Sequence, residues 1–171
     1  MTSRADLKLK SISPDGIPHA LEKAERYRLL NDPAQAESIC RDVLAVDRDN
    51  QDALRCLILA LTDQLGSQGA GHAAREAREH VIQLEDEYER AYYSGIVDER
   101  ETRAYLERKN VVRSEAYNGF RHAMDWYEKA EELRPPGNVD PMLRWNSCLR
   151  TIEREKLEPE LETSDRELPL E

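Results

Sequence analysis

Residues 28–37 read RLLNDPAQAE, and the path of the chain can be worked out from this junction. Upstream, HALEKAERYRLL (19–30) repeats apolar groups at Leu21, Ala24, Tyr27 and Leu30, which is helical spacing. Downstream, Ala36, Ile39, Cys40, Val43 and Leu44 fall on a second helical stripe. Asn31-Asp32-Pro33 separates the two. The Asp32 carboxylate can accept from the orphan N–H groups of a new helix, and Pro33 fits its first position. Two helices joined by so short a turn must run antiparallel, and each must bury its stripe against the other and a neighbour.

The same reading extends in both directions. SPDGIP (13–18) is a turn that places Pro18 in the first turn of a helix, and residues 1–16 are read as a loose arm. DRDNQ (47–51) breaks the second helix, and a third is expected from Asp52 to Leu65. From Ile17 to Asn50 is 34 residues, one helix pair with its trailing turn. An internal period of that size means a stacked-repeat fold.

Within this unit Tyr27, Ala36, Cys40 and Val43 stand where the tetratricopeptide repeat places large, small, large and small packing residues. QLEDEYERAYYSG (83–95) resembles that family's inter-repeat junction. Ala123, Tyr127, Ala130 and Pro135 in HAMDWYEKAEELRPP (122–136) match its second-helix signature. The chain thus resembles the tetratricopeptide-repeat family over roughly residues 17–150. The resemblance implies an all-α, right-handed α-solenoid of antiparallel helix hairpins with about seven helices. Its repeats would span about 17–50, 51–88 and 89–138, followed by a capping helix at 139–156 that reuses an Asp-Pro start at Asp140-Pro141. The departures from the family are local. Repeat one has Ala20 and Ala24 in place of the usual Trp and Gly, and Arg48 where proline is common. Repeat two is longer, with the surplus in GSQGAG (66–71), and repeat three extends its first helix through VDERETRAYLERK to a break near Asn110.

Composition bounds the function classes. The formal charge of −10 argues against nonspecific binding to nucleic acid or an anionic membrane, since both need a basic face. Residues 157–171 hold six acids and one base, broken by Pro159 and Pro169, and are read as a disordered acidic tail. This tail could lie over basic groups of the chain itself, dock on a basic partner, or only solubilise. The N-terminus lacks the apolar run of a signal peptide, and the strongest apolar stretch, ALRCLILAL (53–61), is too short for a membrane span. A cytoplasmic protein is expected. Cys40, Cys56 and Cys148 show no CxxC spacing and sit inside apolar helical patterns, as reduced core thiols do.

Reactive signatures are weak. GSQGAGH (66–72) lacks the Lys-Ser or Lys-Thr of a phosphate loop and follows a helix rather than a strand. No residue three before His19, His72, His80 or His122 is acidic, so the Glu-x-x-His pairs of a di-iron bundle are missing. Glu76 and His80 share a helix face, but one such pair reads as a solvated contact. No cofactor or metal is expected, and catalysis is not. Tyr27, Tyr92 and Tyr127 fall on packing positions and Trp145 on the capping helix's core side, whereas Tyr93 and Trp126 are offered as exposed aromatic anchors, with burial under the repeat-three extension as the alternative.

In such repeats the first helices line a concave groove that takes a peptide or helix of another protein. Carried over by position, the resemblance assigns Leu21, Glu25 and Arg28, then Arg55, Leu59 and Thr62, then Tyr93, Val97 and Arg100 to that groove. Where the family's carboxylate clamp holds Lys and Asn, this chain holds Leu, Glu, Arg and Val, so a clamp for a terminal carboxylate is not supported. The arginines would be available to acidic groups of the bound segment. A non-catalytic adaptor or scaffold is therefore expected. The alternatives are a small helical enzyme or metal-binding bundle, or a self-associating structural protein, for which a homodimer is plausible with so few repeats.

Overall fold

The computed structural model describes residues 7–66 and 70–160. Its regular elements are a short 3-10 turn, Pro14–Gly16, and seven α-helices among the described residues, with no strand. They are α1 (Ile17–Leu29), α2 (Pro33–Val46), α3 (Gln51–Asp63), α4 (Ala70–Val81), α5 (Glu87–Leu106), α6 (Arg113–Leu133) and α7 (Asp140–Glu155). No helix among the described residues is long and apolar enough to cross a membrane.

The Asn31-Asp32-Pro33 break is a stop followed at once by a start. The Asp32 N–H bonds to the Tyr27 carbonyl at 2.9 Å and the Asn31 N–H to the Arg28 carbonyl at 3.0 Å. These two bonds close the end of α1 with Asn31 in the left-handed region, at φ 59°. Asn tolerates that conformation because its short polar side chain can bond locally. The Asp32 carboxylate then accepts from the Gln35 N–H at 3.3 Å, opening α2 on Pro33. Asp32 satisfies a carbonyl behind it and an amide ahead of it, so three residues suffice.

The same closure ends α7. The Leu157 N–H bonds to the Ile152 carbonyl at 2.9 Å, with Lys156 at φ 50°, and the Leu157 and Ile152 side chains meet in one apolar cluster. Leu157, assigned from sequence to the acidic tail, is therefore buried. Of the rest of that tail, residues 158–160 are exposed and 161–171 lie outside the described residues, as do 67–69 of the GSQGAG stretch and 1–6 of the arm. The start of α7 also differs from expectation. Asp140 does not cap it; the Asn138 side-chain oxygen accepts from the Asp140 N–H at 2.9 Å instead. α5 opens at Glu87, two residues before the boundary expected at 89, because Asp86 caps it through the Tyr88 and Glu89 amides.

Each helix packs on the next in the chain, and α1 also touches α3 as α3 touches α5. α3 is the central rod. Ala53, Leu54, Cys56, Leu57, Ile58, Ala60 and Leu61 bury it on most sides. A first apolar cluster gathers all of these but Ala53 with Ala24, Ala36, Cys40, Ala74, Ala77, Val81, Leu84 and Val97. A second holds Ile96, Ala116, Phe120, Ala123, Met124, Tyr127, Cys148, Ile152 and Leu157. α5 and α6 approach most closely. A Cβ on Gly95 would stand 2.6 Å from the Tyr127 ring, and one on Gly119 would meet the Thr102 hydroxyl.

Candidate functional site

The nine residues assigned to a groove fall on α1, α3 and α5, the helices that touch one another next but one. Glu25 is exposed, while Leu21, Arg28, Arg55, Leu59, Tyr93 and Arg100 are half-buried. Two of the nine are interior. Val97 is 0% exposed in the first cluster and Thr62 is 4% exposed, its hydroxyl donating to the Ile58 carbonyl at 3.0 Å and accepting from Arg100 at 2.7 Å. Neither presents a surface to a ligand. Leu59 packs against the second cluster and Tyr93 against the first.

The three arginines are already engaged. Asp63 takes Arg28 from α1 at 2.8 Å and Arg100 from α5 at 2.6 Å. Arg55 on α3 holds both oxygens of Glu89 at 2.9 Å and also pairs with Asp52. The availability of these groups to a ligand's acids, expected from the sequence, therefore meets a competing internal anion at each position. Burial lowers the pKa of the Arg100 guanidinium, with Asp63 opposing. Burial pushes the Tyr93 phenol up to about 12, with the nearby Glu89 charge adding to it.

Four of the cross-helix bonds share a spacing in the chain, while others such as Arg100–Asp63 at 37 residues and Arg78–Asp98 at 20 do not. Arg28 and Asp63 are 35 residues apart, Arg55 and Glu89 are 34, and Arg41 and Glu76 are 35. The Gln51 side chain also accepts from the Glu85 N–H, 34 residues on. Residues one hairpin apart are thus side-by-side neighbours, on α1 and α3, on α3 and α5, and on α2 and α4 alike.

A different kind of charge lies between α5, α6 and α7. Glu99 is 1% exposed. Its carboxylate accepts from the Tyr127 hydroxyl at 2.6 Å and from Arg103 at 3.0 Å, and Arg144 stands at 3.6 Å. Arg103 reaches on to the Ser147 and Thr151 hydroxyls of α7, each at 3.0 Å, and lies over the Phe120 ring. Burial, then the Glu99 charge and hydrogen bond, push the Tyr127 phenol well above its ordinary value. A carboxylate so enclosed and so fully bonded ties three helices together, and no substrate reaches it without the helices parting. Next to it, Asp98 pairs with Arg78 of α4 at 2.7 Å and His122 of α6 at 2.8 Å. These residues line an open, mainly apolar concavity of about 320 Å³ with Val81, Ile82, Ser94 and Trp126.

Glu99 was missed because its neighbourhood reads as a solvated charge run. The signal was there: Tyr92, Ile96, Glu99 and Arg103 share one helix face, so Glu99 and its i+4 arginine continue a buried stripe. Of the two aromatics offered as anchors, Tyr93 is half-buried on the first cluster. Trp126 is also half-buried, with the Lys129 ammonium 5.6 Å above its ring and His122 edge-on. Trp145 is half-buried rather than fully enclosed, because its indole N–H turns out to Glu128 at 2.9 Å. No family model matches the chain, and neither a curated protein nor a solved structure does.

Proposed function

We propose that this chain is a right-handed α-solenoid of the tetratricopeptide type, and that it works as a non-catalytic adaptor holding a peptide or helix of another protein. The observation that carries the reading is the spacing of the cross-helix bonds. Three ion pairs and a side-chain–backbone bond recur at 34 or 35 residues, the length of one helix pair with its turn. Translation by a whole hairpin is the operation that builds a stacked-repeat protein, and it turns equivalent helices into a continuous face. On this reading α1, α3 and α5 supply the face, with Leu21, Glu25, Arg55, Leu59 and Tyr93 as its accessible part. A bound segment competes with Asp63 and Glu89 for the arginines, so acidic groups on it displace internal partners rather than find free cations.

A photo-crosslinking amino acid placed at Glu25 or at Arg75, both exposed and on α1 and α4, tests the choice of face. Crosslinks from residue 25 to a defined protein, absent from residue 75, support the reading. Equal capture at both positions, or none at residue 25 when the partner co-purifies, overturns it.

A further inference from the structure

Two parts of the chain have complementary surfaces that nothing among the described residues covers. The first is the arm ahead of the 3-10 turn. Leu7 is 72% exposed and Leu9 94%, and Lys8 and Lys10 alternate with them, exposed and outside any helix or strand. Residues 7–12 carry these two cations and no acid, in a chain of formal charge −10. The second is an open cleft of about 300 Å³ between α6 and α7. Glu128 and Glu131 of α6 form one wall, and Met142, Trp145 and Asn146 of α7 the other. Both glutamates are exposed, and no ion pair among the described residues engages Glu128, Glu131, Lys8 or Lys10. The Trp145 indole N–H donates to Glu128 at 2.9 Å, which holds the ring at the acidic wall. Cations close by in the sequence turn elsewhere: Lys129 lies over Trp126, and Arg144 stands against Glu99. Val139, Met142, Leu143 and Asn146 follow the spacing of one helix face, so apolar surface continues along α7, with Val139 48% and Leu143 59% exposed.

We propose that the arm of one copy of this chain docks in the α6–α7 cleft of a second copy, lysines against the glutamates and leucines against the apolar wall. Alternate side chains of an extended segment point to opposite sides and repeat at about 6–7 Å. Helix positions three apart stand about 5–6 Å from each other. Lys8 and Lys10 therefore match Glu128 and Glu131, while Leu7 and Leu9 match Met142 and Trp145. A cleft with one acidic and one apolar wall selects a strand with one basic and one apolar edge, and LKLK (7–10) is that strand. In the order of helix packing α1 comes first and α7 last, so arm and cleft belong to opposite ends of the row and a second copy brings them together. Each chain offers one arm and one cleft, and the smallest closed form is a pair that exchanges arms. The contact is small and partly ionic, so it is reversible and weakens with salt. It uses no residue of the face formed by α1, α3 and α5, and stands whether or not that face holds another protein.

The test is sedimentation velocity of the full chain over a concentration series at low salt. The weight-average mass is expected to rise with concentration above the 19.8 kDa of one chain. Lys8→Glu with Lys10→Glu reverses the arm without touching a helix, and Glu128→Lys with Glu131→Lys reverses the cleft at exposed positions. Each pair of changes weakens self-association by about tenfold. Leu7→Ser with Leu9→Ser weakens it as well. Mixing the arm-reversed chain with the cleft-reversed chain restores association, because each arm then meets a cleft of opposite charge on the other protein. A wild-type chain that stays at the mass of one copy overturns the proposal. So does self-association that neither reversal weakens, or two reversed chains that stay apart when mixed, the outcome expected if the arm folds back on its own chain.

Discussion

The first two hairpins and the third are held together by opposite means. α1 to α4 close around aliphatic residues, small ones such as Ala24, Ala36 and Ala77 between larger ones such as Leu54, Leu57 and Ile58, and their ion pairs sit at the rim. The Arg28–Asp63–Arg100 rung is typical, with side chains 20%, 26% and 21% exposed. α5 to α7 close around large residues, Phe120, Met124 and Tyr127, and carry a carboxylate in the middle. In one region charge decorates an apolar joint; in the other it is part of the joint. A rim pair is worth about 0–1 kcal/mol, because water competes for both partners. A buried pair is costly to assemble and costlier to break, since removing one partner strands the other without solvent. The two regions should therefore respond very differently to loss of one carboxylate.

The largest effect is expected at Glu99. Glu99→Ala leaves Arg144 and the Tyr127 hydroxyl without their acceptor and Arg103 with only neutral ones. Arg103 and Arg144 are 33% and 35% exposed and can be rehydrated, so the cost falls on the buried Tyr127 hydroxyl and on the cavity, and unfolding by urea should show a loss of about 2–4 kcal/mol. Replacing Glu99, Arg103, Tyr127 and Arg144 together with Leu, Met, Phe and Met should recover most of that loss, since every member of the charged set is then apolar. If the single variant loses under about 1 kcal/mol, the cluster is no different in kind from a rim pair and the contrast fails.

Gly95→Ala comes next. Alanine favours the helix by about 1 kcal/mol, but its methyl would stand 2.6 Å from a Tyr127 ring held by Glu99. The ring cannot swing away without surrendering that bond, so a net loss of about 1–3 kcal/mol is expected in thermal unfolding. Combining Gly95→Ala with Tyr127→Phe sharpens the test, because a freed ring should make the second change cost less than it does alone. Smaller still, Asp63→Ala removes the anion shared by α1 and α5, for about 1–2 kcal/mol. That difference should shrink without vanishing near 1 M salt, since contacts of 2.6 and 2.8 Å lie inside a screening length of about 3 Å.

The sequence showed the first region more clearly than the second, and the reason is physical. Asp32-Pro33 and the stripe of Ala36, Cys40 and Val43 declare the first hairpin through local rules, capping and period, which need no knowledge of neighbours. The extension of α5 and a break near Asn110 were also legible from the helical run, although the helix ends at Leu106 and does not continue through Lys109. What no local rule supplied was the fate of each charge. Arg28, Arg55 and Arg100 read as solvent-facing cations because Asp63 and Glu89 lie 34 to 37 residues from them, and only the packing of α1, α3 and α5 brings them near. Val97 read as a groove residue because its position was carried over by register, whereas its side chain is enclosed in the first cluster. Leu157 read as tail because its burial depends on a left-handed lysine, a conformation that composition does not announce.

The smallest effect separates the two regions by pH. Burial pushes the Glu76 carboxyl up, but the hydrogen bonds and charge of Arg41 outweigh it, and the group is held below its ordinary value of 4.5. A carboxylate with a depressed folded pKa binds fewer protons folded than unfolded. Its contribution to stability is complete above the ordinary value and is lost as pH falls through the depressed one. Unfolding of the wild type and of Glu76→Gln should therefore differ by a few tenths of a kcal/mol at about pH 6–7, and the gap should close on the way to about pH 3. A gap that persists unchanged at about pH 3 would mean that Glu76 acts by packing or neutral hydrogen bonding, and that the α2–α4 rim pair is not electrostatic at all. The Arg41–Glu76 distance of 2.8 Å favours the charged account, since both groups keep enough water to ionise while Arg41 also holds Glu37 at 2.7 Å.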